Sequence, residues 1–330
     1  MSILHQLERF GVDRFTMALV TTVVTASILP ASGVSATYLK YLTDLAIGVM
    51  FFMYGARLPR EVVVQGIAHW RLHVLVFACT FLVFPLLGLA THVLVPKLMS
   101  PDVYIGIVFL CCLPSTVQSS IAFTSIARGN VAAAICSASA SNLIGILVTP
   151  VLAGVLLSAH GGFSPHAILA IAVQLLLPFV AGQLARPWLG KWALRNKRLL
   201  SYTDRGSILL VVYGAFSEAV IGGIWHQLPA QDFAVIVGVN AALLAAVLAT
   251  TTFVSRAFGF NKEDEIAIVF CGSKKSLASG VPMASVIFAG HPIGLIVLPL
   301  MLFHQIQLMV CAILARRYAA NRQAPVPSHA

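Results

Sequence analysis

The chain has 330 residues, 59% of them hydrophobic and only 10% charged, with a formal net charge of +10. Soluble domains carry about 25% charged residues, and a chain with so few could not cover its surface in water. The composition excludes an ordinary soluble enzyme and fits a chain whose solvent is hydrocarbon.

A helix needs about 20 residues to cross roughly 30 Å of hydrocarbon. In chain order, ten spans are predicted: Phe15–Ser32, Tyr38–Ala56, Leu72–Val95, Val103–Ala127, Val131–Ser158, Pro165–Ala185, Gly206–Gly223, Asp232–Arg256, Glu265–Ala289 and Pro292–Arg316. Their apolar runs are continuous, not alternating, which favours helices over a barrel. The second is the weakest, because Asp44 leaves only Leu45–Ala56 clean. Residues 1–14, with Glu8, Arg9, Asp13 and Arg14, read as an amphipathic lead-in and not a cleavable signal. The tail 319–330 is Pro-rich and polar and reads as disordered.

The positive charge is sorted by side. With the N-terminus in the cytoplasm, seventeen Lys and Arg fall in inner segments, and only Lys40 and Lys97 in outer loops. That asymmetry predicts a multi-pass protein of the inner (plasma) membrane with both termini cytoplasmic. It also explains the basic balance without any nucleic-acid partner. All six cysteines fall inside spans and read as apolar packing residues; no CxxC metal spacing appears. HExxH and GxSxG are absent, so no enzyme is expected and no catalytic, metal or cofactor residues are assigned.

The longest connection, Arg186–Arg205, divides the ten spans into five plus five. An odd number per half places the halves in opposite orientations, so a single unit over 1–330 is expected, with an inverted repeat of 15–158 and 165–316. Two interruptions support the division. The fourth span is broken by Pro114-Ser115-Thr116-Val117-Gln118-Ser119-Ser120. The ninth is broken by Gly272-Ser273-Lys274-Lys275-Ser276, with Gly280 and Pro282 after it. Matching breaks in two halves point to a binding site at the membrane midplane.

Lys274 and Lys275 are the sharpest signal. Lys274 lies nine residues past Glu265, about 14 Å along a helix and near the bilayer centre, where a lysine costs roughly 2.5–3.5 kcal/mol. Such charges mark sites more often than packing. Glu218, twelve residues past Gly206, is a second deep charge that could pair with a lysine, relay protons or bind a cation; a packing role is equally compatible. Softer candidates are Gln118, Ser119 and Ser120, Ser137, Ser139, Ser141 and Asn142, and His304, Gln305 and Gln307. Hydroxyls and amides bind small cations, yet they bond equally often between packed helices.

The stretch Leu110–Pro150, with its proline, its polar pair Ser119-Ser120 and ARGNVA at Ala127–Ala132, resembles the bile acid:sodium symporter family. FCGSKKSLASGVPMA (Phe270–Ala284) is similar to the SBF-like branch of bacterial and animal transporters. The resemblance implies an all-α fold of ten helices. A panel domain (spans 1, 2, 6, 7) faces a core domain (spans 3, 4, 5, 8, 9, 10), discontinuous spans 4 and 9 cross, and access alternates. Where sodium-coupled relatives carry an acid and amides in the ninth span, this chain has Phe270, Lys274 and Lys275. Ala134 and Ala138 stand where the fifth span supplies hydroxyls, and Thr80 where the third supplies a glutamine. These departures argue against sodium coupling.

The expectation is a secondary transporter of a small organic anion, in which a lysine ammonium fills the space of a coupling cation. The candidate binding set is Lys274, Lys275, Ser273, Ser276, Gln118, Ser119, Ser120, Glu218 and Thr80. Na+ and H+ are the candidate coupling ions, and the expected partners are a small-molecule solute and membrane lipids. A channel and a non-transporting membrane regulator are the rival readings, and the oligomeric state is left open.

Overall fold

The computed structural model describes residues 14–57, 69–158, 165–221, 223 and 230–321. Among them every regular element is helical. We number twelve helices: α1 Arg14–Ile28, α2 Val34–Arg57, α3 Trp70–Leu94, α4 Pro101–Cys112, α5 Gln118–Ile126, α6 Val131–Ser158, α7 Pro165–Arg195, α8 Lys197–Ile221, α9 Ala230–Ala257, α10 Lys262–Gly272, α11 Leu277–Ile287 and α12 Ile293–Asn321. Five segments are each long and apolar enough to cross a membrane: Val34–Ala56, Trp70–Leu94, Val131–Leu157, Asp232–Ala257 and Ile293–Asn321.

Three expectations change. Arg186–Arg205 is not a loop: α7 runs through it to Arg195 and α8 restarts at Lys197, so the basic stretch is helical on both sides of residue 196. Residues 319–321 of the expected tail are the last turn of α12; 322–330 and the lead-in up to residue 13 lie outside the described residues. Gly280 and Pro282 do not extend the second break, since both lie within α11.

Helix limits follow local chemistry. Ser100 caps α4 by accepting from the Val103 amide, ahead of Pro101 and Asp102 in the first turn. Asn261 caps α10 by accepting from the Asp264 amide at 2.8 Å, and Glu263, Asp264 and Glu265 follow at the positive end of the helix dipole.

Two assemblies of helices result. α2 packs closely on α7, and α8 packs on α1 and α2. Gly55 faces the Phe179 carbonyl and Gly182 faces the Phe52 carbonyl, so the α2 and α7 backbones touch where no Cβ intervenes. The other helices gather around the two interruptions, with Phe109 edge-on to Phe288 (5.1 Å) and Phe84 edge-on to Phe303 (5.9 Å). Large apolar side chains such as Leu177, Leu184, Trp188 and Phe253 stand exposed on the outside, as lipid contact requires.

Candidate transport site

Pro114 ends α4. It brings no amide hydrogen, and it pushes Leu113 into an extended conformation (φ −72°, ψ 154°). The carbonyls at the end of α4 therefore need other donors. Thr149 Oγ1 serves Cys112 at 2.9 Å, and the Ser276 amide serves Pro114 at 2.9 Å. On the other break, the Ser115 hydroxyl donates to the Cys271 carbonyl (2.6 Å) and the Ser120 hydroxyl to the Phe270 carbonyl (3.0 Å). Each interruption thus satisfies backbone groups exposed by the other. Gln307 on α12 completes the set: its oxygen accepts from the Lys275 amide and its nitrogen donates to the Lys275 carbonyl, both at 2.9 Å.

The adjacent lysines are both fully buried with Nζ over an aromatic ring, that of Lys275 lying 4.2 Å from the Phe84 centroid, but they differ in hydrogen bonding. Lys275 Nζ donates to the carbonyls of Thr80 (2.8 Å), Cys111 (2.7 Å) and Leu113 (2.7 Å), using its three hydrogens. The Thr80 carbonyl is open for a reason visible in the sequence. α3 contains a π turn at Cys79–Val83, in which the Phe84 amide bonds back to Cys79; the next amide would belong to residue 85, a proline. Cys111 and Leu113 lie at the negative end of the α4 dipole. Lys274 Nζ has no hydrogen-bond partner among the described residues and lies 3.8 Å from the Phe123 ring centroid and 5.6 Å from that of Phe270.

Beside the breaks is a cavity of about 380 Å³. Phe15, Tyr54, Phe179, Asp204 and Arg205 line one wall, from α1, α2, α7 and α8. Gln118, Ser119, Asn142, Ser276 and His304 line the other. The first turns of α5 and α11 both face this space, presenting the positive ends of two helix dipoles. Arg205 also borders it, with its guanidinium 5.4 Å from the Phe15 ring centroid.

The expected residues separate accordingly. Gln118, Ser119 and Ser276 line the cavity. Ser120, Ser273, Thr80 and both lysines are buried behind it; the Ser273 hydroxyl donates to Val269 and the Thr80 hydroxyl to Val76. Glu218 is exposed on α8 and is not a partner of either lysine. Asp204 and Arg205 also line the cavity and were not among the expected residues, because their stretch reads as a basic connection. No group of His, Cys, Asp or Glu among the described residues has a metal-binding arrangement.

ARGNVA forms a second junction. Arg128 adopts φ 59°, and a Cβ on Gly129 would strike Ile266. Asn130 accepts from the Ala133 amide to cap α6 and donates to Asp264 at 2.7 Å, while its own amide donates to the Glu263 carbonyl. The motif therefore ties the start of α6 to the start of α10.

The model of the SBF-like CPA transporter family matches residues 13–320, nearly the whole chain. The chain belongs to the SBF-like CPA transporter family. A Pseudomonas aeruginosa protein, PA2026, is 57% identical over 319 residues, covering 95% of each chain. The "Putative symporter YfeH" of Escherichia coli K12 is 54% identical over 307 residues, 93% of this chain and 92% of that one. Sodium/bile acid cotransporter 7 of Rattus norvegicus is 28% identical over 318 residues, 93% of each. Family membership and the apolar helices make this a multi-pass membrane transporter and not an enzyme.

Proposed function

We propose that this member of the SBF-like CPA family is a secondary transporter that moves a small organic anion by alternating access. The Lys275 ammonium takes the space of a dissociable coupling cation. One observation carries the reading: Lys275 Nζ sits 2.7–2.8 Å from three backbone carbonyls, one from the π turn of α3 and two from the end of α4. A ring of freed carbonyls is what a small hard cation seeks, and a covalently attached ammonium supplies the same charge. The role sits on Lys275 and not Lys274: both Nζ atoms lie over aromatic rings, but only that of Lys275 is also held by carbonyls.

The two half-helix N-termini and Arg205 support an anionic solute in the cavity. The cavity lies between α1, α2, α7 and α8 on one wall and α5, α6, α11 and α12 on the other. This layout supports a panel moving against a core, within ten spans arranged as a five-plus-five inverted repeat. Charge sorting supports both termini in the cytoplasm of a bacterial inner membrane, and the cavity wall from Phe15, Tyr54 and Arg205 then opens inward.

Uptake of labelled taurocholate and a panel of smaller organic anions into proteoliposomes tests this. Saturable uptake is expected that persists when choline replaces sodium, falls in Arg205→Gln and is lost in Lys275→Met. An imposed pH gradient in the same vesicles tests proton coupling. Uptake that strictly requires sodium and survives Lys275→Met would overturn the proposal.

A further inference from the structure

A second groove, of about 520 Å³, lies on the outside of the bundle between α9 and α12 and shares no lining residue with the transport cavity. Its walls are apolar, with Leu248 and Phe253 on α9 and Val310 and Ile313 on α12. Phe253 and Ile313 are exposed, so the groove opens to the side and faces lipid. Arg256 and Arg317 close one end. From Leu248 to Arg256 is eight residues, about 12 Å of helix, which is most of the half-thickness of a roughly 30 Å hydrocarbon layer. An apolar channel one leaflet deep, ending in guanidinium groups at the level of the headgroups, has the shape and charge of a phospholipid.

The arginines are not equivalent. Nε and Nη2 of Arg256 bind Glu265 at 3.2 and 3.1 Å, which fixes the guanidinium at the mouth of the groove. Lys262 and the Tyr318 hydroxyl also serve that carboxylate, at 2.6 and 3.0 Å. Arg317 is exposed. One carboxylate is thus shared by Arg256 and Lys262, and Arg317 adds an unshared positive charge for an incoming phosphodiester.

We propose that this groove is a specific site for an anionic phospholipid, its phosphate on Arg317 and Arg256 and one acyl chain along the α9–α12 seam. The lipid staples α9, whose end is clamped to α10 through Arg256–Glu265, to α12. Charge complementarity selects an anionic headgroup over a zwitterionic one.

The test uses the full chain in detergent with equal amounts of phosphatidylglycerol and phosphatidylcholine of identical acyl chains, bound lipid being counted by native mass spectrometry. Phosphatidylglycerol is expected to be retained in preference. Arg317→Ala should lower its retention about fivefold and leave phosphatidylcholine unchanged. Ala249→Trp, which fills the groove without touching a charge, should remove both, and Arg195→Ala, an equal loss of charge elsewhere, should change nothing. Equal retention of the two lipids would overturn the proposal. So would an Arg195→Ala effect as large as that of Arg317→Ala, an inert Ala249→Trp, or displacement of the lipid by millimolar inorganic phosphate.

Discussion

The ammonium nitrogen of Lys275 lies 2.8 Å from the carbonyl oxygen of Thr80, a residue 195 positions earlier in the chain. With the carbonyls of Cys111 and Leu113 it joins the π turn of α3, the end of α4 and the second interruption at one point. Three backbone acceptors that α-helical pairing cannot serve are served by one side chain.

Replacing Lys275 by Met keeps the stem and removes every donor. Three buried carbonyls then lose a charged partner, and stability is expected to fall by roughly 3–5 kcal/mol. The six free, buried cysteines make a thiol-reactive fluorophore a direct reporter of thermal unfolding in detergent.

Lys274→Met is the matched comparison. No hydrogen bond is lost there, and the cation–π contact given up is offset by removal of a buried ionisable group. A change under about 1.5 kcal/mol is expected in the same assay. A larger loss than for Lys275→Met would move the structural keystone to Lys274.

Pro85→Ala restores an amide hydrogen two residues after the π turn. The new donor competes for the Thr80 carbonyl or draws α3 back toward α-helical pairing. Transport is expected to fall while the protein stays folded, with faster amide hydrogen exchange at the second interruption, read by mass spectrometry.

Gly182→Ala places a methyl group against the Phe52 carbonyl on α2. Forcing the two backbones apart should cost about 1–3 kcal/mol, measured as a lowered unfolding temperature. Gly48→Ala, on the same α2 helix, has open space around its added methyl and should be neutral or stabilise by up to about 1 kcal/mol.

Much of this was legible in the residues. Pro114 and the Gly-Ser-Lys-Lys-Ser run announced both interruptions, because a missing amide and an intramembrane charge are local facts. The division of labour between the lysines was not legible. It depends on Pro85 freeing Thr80 in another helix, and on Phe123 lying over Lys274, and neither contact has a signature in local pattern. The exposure of Glu218 was hidden for a related reason: depth along a helix can be counted from sequence, but the face that a side chain presents is settled by packing. Arg205 was hidden by its company, since a basic run on the inner side is expected of any such protein whether or not one member reaches a cavity.

The Lys275 side chain gives the junction of α3, α4 and the second interruption an amino group in fixed one-to-one ratio with the polypeptide. It cannot be diluted, chelated or exchanged, so its occupancy does not follow the composition of the bathing medium. Removing salt should leave the packing between the two interruptions intact, where a carrier stapled by a free ion would loosen.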